Sequence, residues 1–144
     1  MRIKLLQCGD LHLDAPFTSL ADVDSTGIDS KPEQRRNDLK LVLSRIVETA
    51  AAQQVDLLLI CGDLYEHGYI RKSTIRYICD LFERIPDIPV LMIPGNHDPF
   101  VPGSYYSDFM WPPNVHILNE GTRFYEHRDG TRVYGALPPI GSLE

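Results

Sequence analysis

The sequence predicts an α/β fold built on parallel strands, and three observations carry that prediction. Short apolar runs at residues 3–8, 57–61 and 88–93 have the length and the leucine- and isoleucine-rich character of buried strands. Between them lie segments whose apolar residues recur at three- and four-residue spacing, as on one face of a helix. Each apolar run also ends through a glycine into Asp, His or Asn. In open α/β sheets ligand chemistry collects beyond the carboxyl ends of the strands. The repeated ending therefore bears on function as well as on fold.

One domain is the expectation for 144 residues, a length that can bury a real core. Hydrophobic content of 43% and charged content of 24% describe a globular chain, not a disordered one. No apolar run approaches the roughly 20 residues that span a bilayer. Asp10 follows the first apolar run too closely for a signal peptide. Cys8, Cys61 and Cys79 show no metal-type pair spacing, so reduced, buried thiols in a cytoplasmic protein are expected. A net charge of −6 argues against nucleic-acid binding through a general positive field. It leaves room for a nuclease, because bound cations reverse the charge of a carboxylate-rich site.

In order along the chain, residues 3–8 form the first predicted strand, ending at Gly9-Asp10-Leu11-His12. Asp10 and His12 flank one residue, so in an extended segment both side chains point the same way and could reach one ion. Residues 13–32 carry Pro, Gly, Ser, Thr and Asp without periodicity and read as a long loop, with Phe17 a packing aromatic or a wall of a cleft. A helix is predicted over residues 33–54, burying Leu39, Val42, Leu43, Ile46, Val47 and Ala50. Its Arg35 and Arg36 are a solvated face or a phosphate contact. Residues 57–61 are the central strand, followed by Gly62-Asp63, and a right-handed parallel crossover joins it to the first.

A second helix, capped by Ser73 or Thr74 and stopped by Pro86, should bury Ile75, Ile78, Leu81, Phe82 and Ile85. The strand at residues 88–93 empties into Gly95-Asn96-His97-Asp98. A Pro- and aromatic-rich loop follows at 99–113. Short strands at 115–118, 122–126 and 131–134, with Gly121 and Gly130 at their turns, suggest a small antiparallel unit.

Taken singly, Asp63 would be a loop carboxylate capping a helix and Asp10 with His12 an ordinary surface pair. Three strand ends delivering Asp and His, then Asp, then Asn, His and Asp make a metal centre the better reading.

Asp10-Leu11-His12, Gly62-Asp63 and Gly95-Asn96-His97-Asp98, in that order and strand context, resemble the opening signature of the calcineurin-like metallophosphoesterases. The residues Leu13-Asp14-Ala15-Pro16-Phe17, the Arg35-Arg36 pair and Leu64-Tyr65-Glu66 are similar to the DNA repair exonuclease branch, that of SbcD- and YhaO-like proteins. The resemblance implies the N-terminal portion of a four-layer α/β/β/α sandwich. It implies Asp10 and His12 on one metal, Asp63 bridging two, and Asn96 on the second. His97 would contact the phosphate and assist the leaving group, with Asp98 orienting it. It also implies two divalent ions, most naturally Mn²⁺, that activate a hydroxide for attack on DNA, and an ATPase partner subunit; an exposed sheet face would in addition promote self-association into a homo-oligomer.

Donor chemistry agrees with those roles: a carboxylate can bridge two ions, and a neutral Asn oxygen avoids overloading the site with negative charge. The sequence departs from the family in lacking the later isolated His and the Gly-His-x-His motif. His67, His116 and His127 stand in other contexts and are read as structural or surface groups. The chain is thus expected to be the N-terminal part of a longer protein, residues 1–144 of a nuclease domain, with little activity by itself. The alternatives are a phosphoesterase for small substrates and a non-catalytic binding or assembly module with an incomplete metal site.

Overall fold

The computed structural model describes residues 2–16 and 31–136. The stretch 17–30, with the predicted role of Phe17, lies outside the described residues. Strands β1 (Leu5–Cys8), β2 (Leu57–Cys61), β3 (Val90–Ile93) and β4 (Val115–Ile117) form one four-stranded sheet in that order. Every pairing in it is parallel. Helix α1 (Lys31–Ala52) links β1 to β2 and helix α2 (Lys72–Glu83) links β2 to β3.

The register aligns side chains in rows. Leu6, Leu58, Val90 and Val115 form one row, and Cys8, Ile60, Met92 and Ile117 another on the same face. This face packs against Leu43 and Val47 of α1 and Ile75, Ile78 and Phe82 of α2 in a single core. Each fully buried aliphatic of this kind is worth about 1.5–3 kcal/mol of transfer free energy. That gain holds the strand ends in register against the strained loops they carry.

All five residues predicted for the α2 stripe are buried; on α1, Leu43, Val47 and Ala50 are buried while Val42 is exposed. The Tyr77 hydroxyl donates to the Lys40 carbonyl at 2.9 Å and ties the two helices together. Neither Ser73 nor Thr74 caps α2. Its N-cap is Arg71, and the Arg71 N–H donates to Asp14 Oδ2 at 2.9 Å, so a carboxylate from the first loop takes over the capping. At the other end the Asn114 amide donates to the carbonyls of Phe82, Ile85 and Ile88.

The second sheet face is covered unevenly. Leu57 and Leu91 are buried, but Leu5 is half exposed and Gln7 and Cys61 are exposed. The hairpin of β5 (Phe124–Glu126) and β6 (Arg132–Tyr134) lies over the β3–β4 end, with the Tyr125 ring tilted at 44° to that of His116 and their centroids 4.7 Å apart. The expected three-strand antiparallel unit is therefore split: residues 115–117 join the main sheet in parallel, and only β5 and β6 are antiparallel. A three-residue run offers too little pattern to distinguish the two pairings. Cys61 also departs from the buried state expected of the thiols; Cys79 is buried and Cys8 half-buried, and burial lifts both of the latter to about 11. A short helix α3 (Tyr105–Asp108), capped by the Ser104 side chain, interrupts the predicted 99–113 loop. Among the described residues no helix is long and apolar enough to cross a membrane.

Candidate metal centre

The parallel register places the ends of β1, β2 and β3 side by side, and hydrogen bonds continue the alignment past the strands. Asp10 N–H donates to the Gly62 carbonyl at 3.1 Å, and His12 N–H donates to the Asp63 carbonyl at 2.9 Å. Leu13 then bridges to Tyr65 as an isolated parallel pair. Asp10, His12, Asp14 and Asp63 all have positive φ, between 49° and 63°. Left-handed backbone costs a non-glycine residue of order 1–3 kcal/mol and gathers where side chains must be aimed. Gly95 is required by proximity, because a Cβ there would lie 2.7 Å from the Asp63 nitrogen and closer still to its carboxylate.

Asp10, His12 and Asp63 meet: one ligand atom from each lies within 4.8 Å of the others. The Nδ1 of His12 is engaged by Glu66 Oε1 at 2.9 Å, which leaves Nε2 on the side of Asp10, 4.0 Å from its Oδ1. A proton on Nδ1 puts the lone pair on Nε2, the arrangement a metal-binding imidazole needs. The donor set of two carboxylates and one imidazole suits a divalent cation with mixed O and N preference. Asp63 Oδ1 also accepts the His97 N–H at 2.9 Å, so this carboxylate fixes the third loop as well as facing the first. Asn96 is exposed and lines an open 260 Å³ cavity together with Asp63 and Gly95. A second cavity of 520 Å³ is lined by Gln7, Cys8, Gly9, Asp10 and Cys61.

The orienting partner of His97 is not Asp98. His97 Nδ1 lies 3.0 Å from Glu66 Oε2, so one carboxylate holds both imidazoles. The hydrogen bond and charge of Glu66 raise the His97 pKa above the ordinary imidazole value, with a smaller push from Asp63. Asp98 points inward and is fully buried. It accepts from the backbone N–H of Asp63 (2.9 Å), Leu64 (2.8 Å) and Gly95 (2.7 Å), and from the Tyr106 hydroxyl. Burial pushes its pKa up against the pull of those donors. Its task is to lock the loop carrying Asp63 to the loop carrying Asn96 and His97. Sequence alone cannot say whether a carboxylate in such a loop faces solvent or interior, and here the orienting role falls to Glu66. Its place three residues after Asp63 was the available signal.

The other expectations resolve simply. Arg36 donates to Glu33 on its own helix, at 2.8 and 3.2 Å, and Arg35 is exposed. His67 is an exposed rim residue whose N–H donates to the His97 carbonyl. His116 stacks on Tyr125, and His127 is buried beside the β5–β6 turn.

A family model described as "Calcineurin-like phosphoesterase" matches residues 3–142. The uncharacterized metallophosphoesterase YhaO of Bacillus subtilis is 29% identical over 144 residues, covering 92% of this chain and 33% of that protein. An SbcCD nuclease subunit from Staphylococcus epidermidis is 35% identical over 69 residues, 46% of this chain and 18% of the relative. The DNA double-strand break repair protein Mre11 of Aeropyrum pernix is 31% identical over 97 residues, 66% of this chain and 21% of that one. The chain spans a third or less of the length of these relatives.

Proposed function

The chain belongs to the calcineurin-like phosphoesterase family, and on that footing we propose that it carries ligands of a binuclear centre for phosphodiester hydrolysis, with DNA as the substrate. Members of this family hydrolyse phosphoesters with divalent metal ions. In this reading Asp10, His12 and Asp63 would hold one cation, and Asp63 with Asn96 would hold the second. Mn²⁺ fits the mixed oxygen and nitrogen donors, and when bound the pair supplies Lewis-acid activation of water and of the phosphoester. The observation that carries the reading is the convergence of Asp10, His12 and Asp63 within ligand reach.

The chain's own residues do the rest. Glu66 fixes the Nδ1 proton of His12 and so keeps Nε2 available. The same carboxylate keeps His97 charged to higher pH, and the ring, more than half exposed, offers Nε2–H to a phosphate oxygen or to the leaving group. Asn96 adds an oxygen without adding charge, which eases approach of an anionic phosphodiester. Asp98 acts as a positioning residue through the backbone.

DNA as substrate rests on the names of two relatives, a nuclease subunit and a double-strand break repair protein. Work beside a partner subunit, an ATPase in this reading, or as a homo-oligomer, and a cytoplasmic location belong to the same proposal. Among the described residues this reading gives one cation three protein ligands and the other two, so weak binding and slow turnover by the 144-residue chain belong to the same proposal.

Calorimetric titration of Mn²⁺ into the chain should show binding that Asp63→Asn abolishes. Equal heats for both proteins would remove the basis of the centre. The protein's Mn²⁺-dependent cleavage of duplex DNA should exceed its cleavage of bis-p-nitrophenyl phosphate. The reverse order would move the substrate to small phosphoesters. Robust hydrolysis by the 144-residue chain would contradict its low activity.

A further inference from the structure

Glu66 stands between two imidazoles, with Oε1 2.9 Å from Nδ1 of His12 and Oε2 3.0 Å from Nδ1 of His97. Ligand atoms of these three residues all lie within 4.8 Å of one another. The two rings meet edge to face at 88°, with centroids 5.0 Å apart. Two imidazoles and one carboxylate form a donor set that Zn²⁺ takes, borderline-soft nitrogen with a single anionic oxygen. A tetrahedral zinc with bonds near 2.1 Å separates its ligands by about 3.3 Å. The two carboxylate–imidazole separations, 2.9 and 3.0 Å, are a few tenths shorter, and all three ligand atoms lie within 4.8 Å of one another, so side-chain rotation admits the ion. Entry is open: the side chains of His97, His12 and Glu66 are 54%, 31% and 17% exposed.

We propose that His12, Glu66 and His97 form a second, inhibitory site selective for Zn²⁺, distinct from the Asp10–His12–Asp63 group. The selectivity follows from the nitrogen donors: Mg²⁺ and Ca²⁺ prefer all-oxygen shells. The antagonism follows from His12, which belongs to both groups. A neutral imidazole has one lone pair. Zinc on Nδ1 moves the proton to Nε2, and a protonated Nε2 cannot serve the cation beside Asp10. Zinc also draws Glu66 away from holding the imidazole protons and ties down His97. Zinc binding stands by itself; only the antagonism rests on the catalytic reading above.

The test is calorimetric titration of Zn²⁺ into the 144-residue chain, with Co²⁺ as a spectroscopic stand-in whose visible bands report tetrahedral N/O ligation. Wild type and Asp63→Asn should share one Zn²⁺-binding event of similar affinity, and His97→Ala and Glu66→Ala should each weaken that event tenfold or more. Because His97 is more than half exposed, its removal leaves the fold intact, and His97→Gln gives a second variant that keeps a polar side chain. Unchanged Zn²⁺ affinity in the His97 variants overturns the site. So does loss of binding in Asp63→Asn with retention in His97→Ala, which would put zinc in the Asp10 group. One equivalent of Zn²⁺ should raise the apparent Mn²⁺ dissociation constant tenfold or more in wild type and distinctly less in His97→Ala, where only direct competition for the Asp10 group remains. If Mn²⁺ does not bind at all while Zn²⁺ still depends on His97 and Glu66, the catalytic reading fails and this site stands.

Discussion

Two carboxylates organise the strand ends, one in the interior and one at the rim, and they do opposite work. Asp98 is fully buried and receives three backbone N–H groups and a tyrosine hydroxyl, so what it fixes is the path of two loops. Glu66 is partly exposed and receives two imidazole nitrogens, so what it fixes is the state of two side chains. Interior polar groups are costly to leave unpaired and are held by many partners. Rim groups are cheap to alter in stability yet decide which nitrogen carries a proton. The site thus separates shape from chemistry: Asp98 sets where the ligand atoms stand, and Glu66 sets which of them can act.

Asp98→Ala should show the largest effect. It strands one buried and two part-buried N–H groups and the buried Tyr106 hydroxyl, a loss of about 3 kcal/mol by the cost of unmade buried hydrogen bonds. Denaturant unfolding reads it directly, and a change below about 1 kcal/mol would mean that Asp98 does not hold the loops. Asp98→Asn should recover part of the loss, since its single oxygen still accepts from the backbone.

Glu66→Gln should invert that result. Its unfolding midpoint should stay near wild type, while metal affinity falls about 10- to 100-fold, the usual cost of losing a carboxylate behind a liganding histidine. A comparable loss of stability in both variants would erase the division of labour.

Much of this arrangement was legible in the sequence because apolar runs dictate which segments become parallel strands, and parallel strands must end together. Gly9, Gly62 and Gly95 marked the three exits, and Asp10, His12 and Asp63 converge as the pattern required. The direction of individual side chains was not legible. Asp98 lies in the same motif as His97, and nothing in one dimension shows that its carboxylate turns inward. Tyr106 sat in a stretch of Pro and aromatic residues without period, yet it donates to that buried carboxylate. Asn114 likewise gave no local sign that it would close the end of α2, because its partners lie 26 to 32 residues earlier. Long-range polar contacts of this kind leave no periodic trace.

The smallest expected effect comes from a group remote from both carboxylates and isolates them from the pH response of the sheet. His116 is half-buried against Tyr125, and burial lowers its pKa below the ordinary value near 6.5. As pH falls through about 6.5 the unfolded chain takes up this proton before the folded one does. Stability is therefore full above that value and declines below it until the folded imidazole also titrates. His116→Phe keeps a ring against Tyr125 but has nothing to protonate. Unfolding midpoints at pH 7.5 and 5.5 should accordingly differ less in His116→Phe than in wild type. An undiminished difference would assign the acid response to other groups. The buried Asp98 is not among them, since its raised pKa makes the folded state bind a proton more readily and so opposes acid destabilisation.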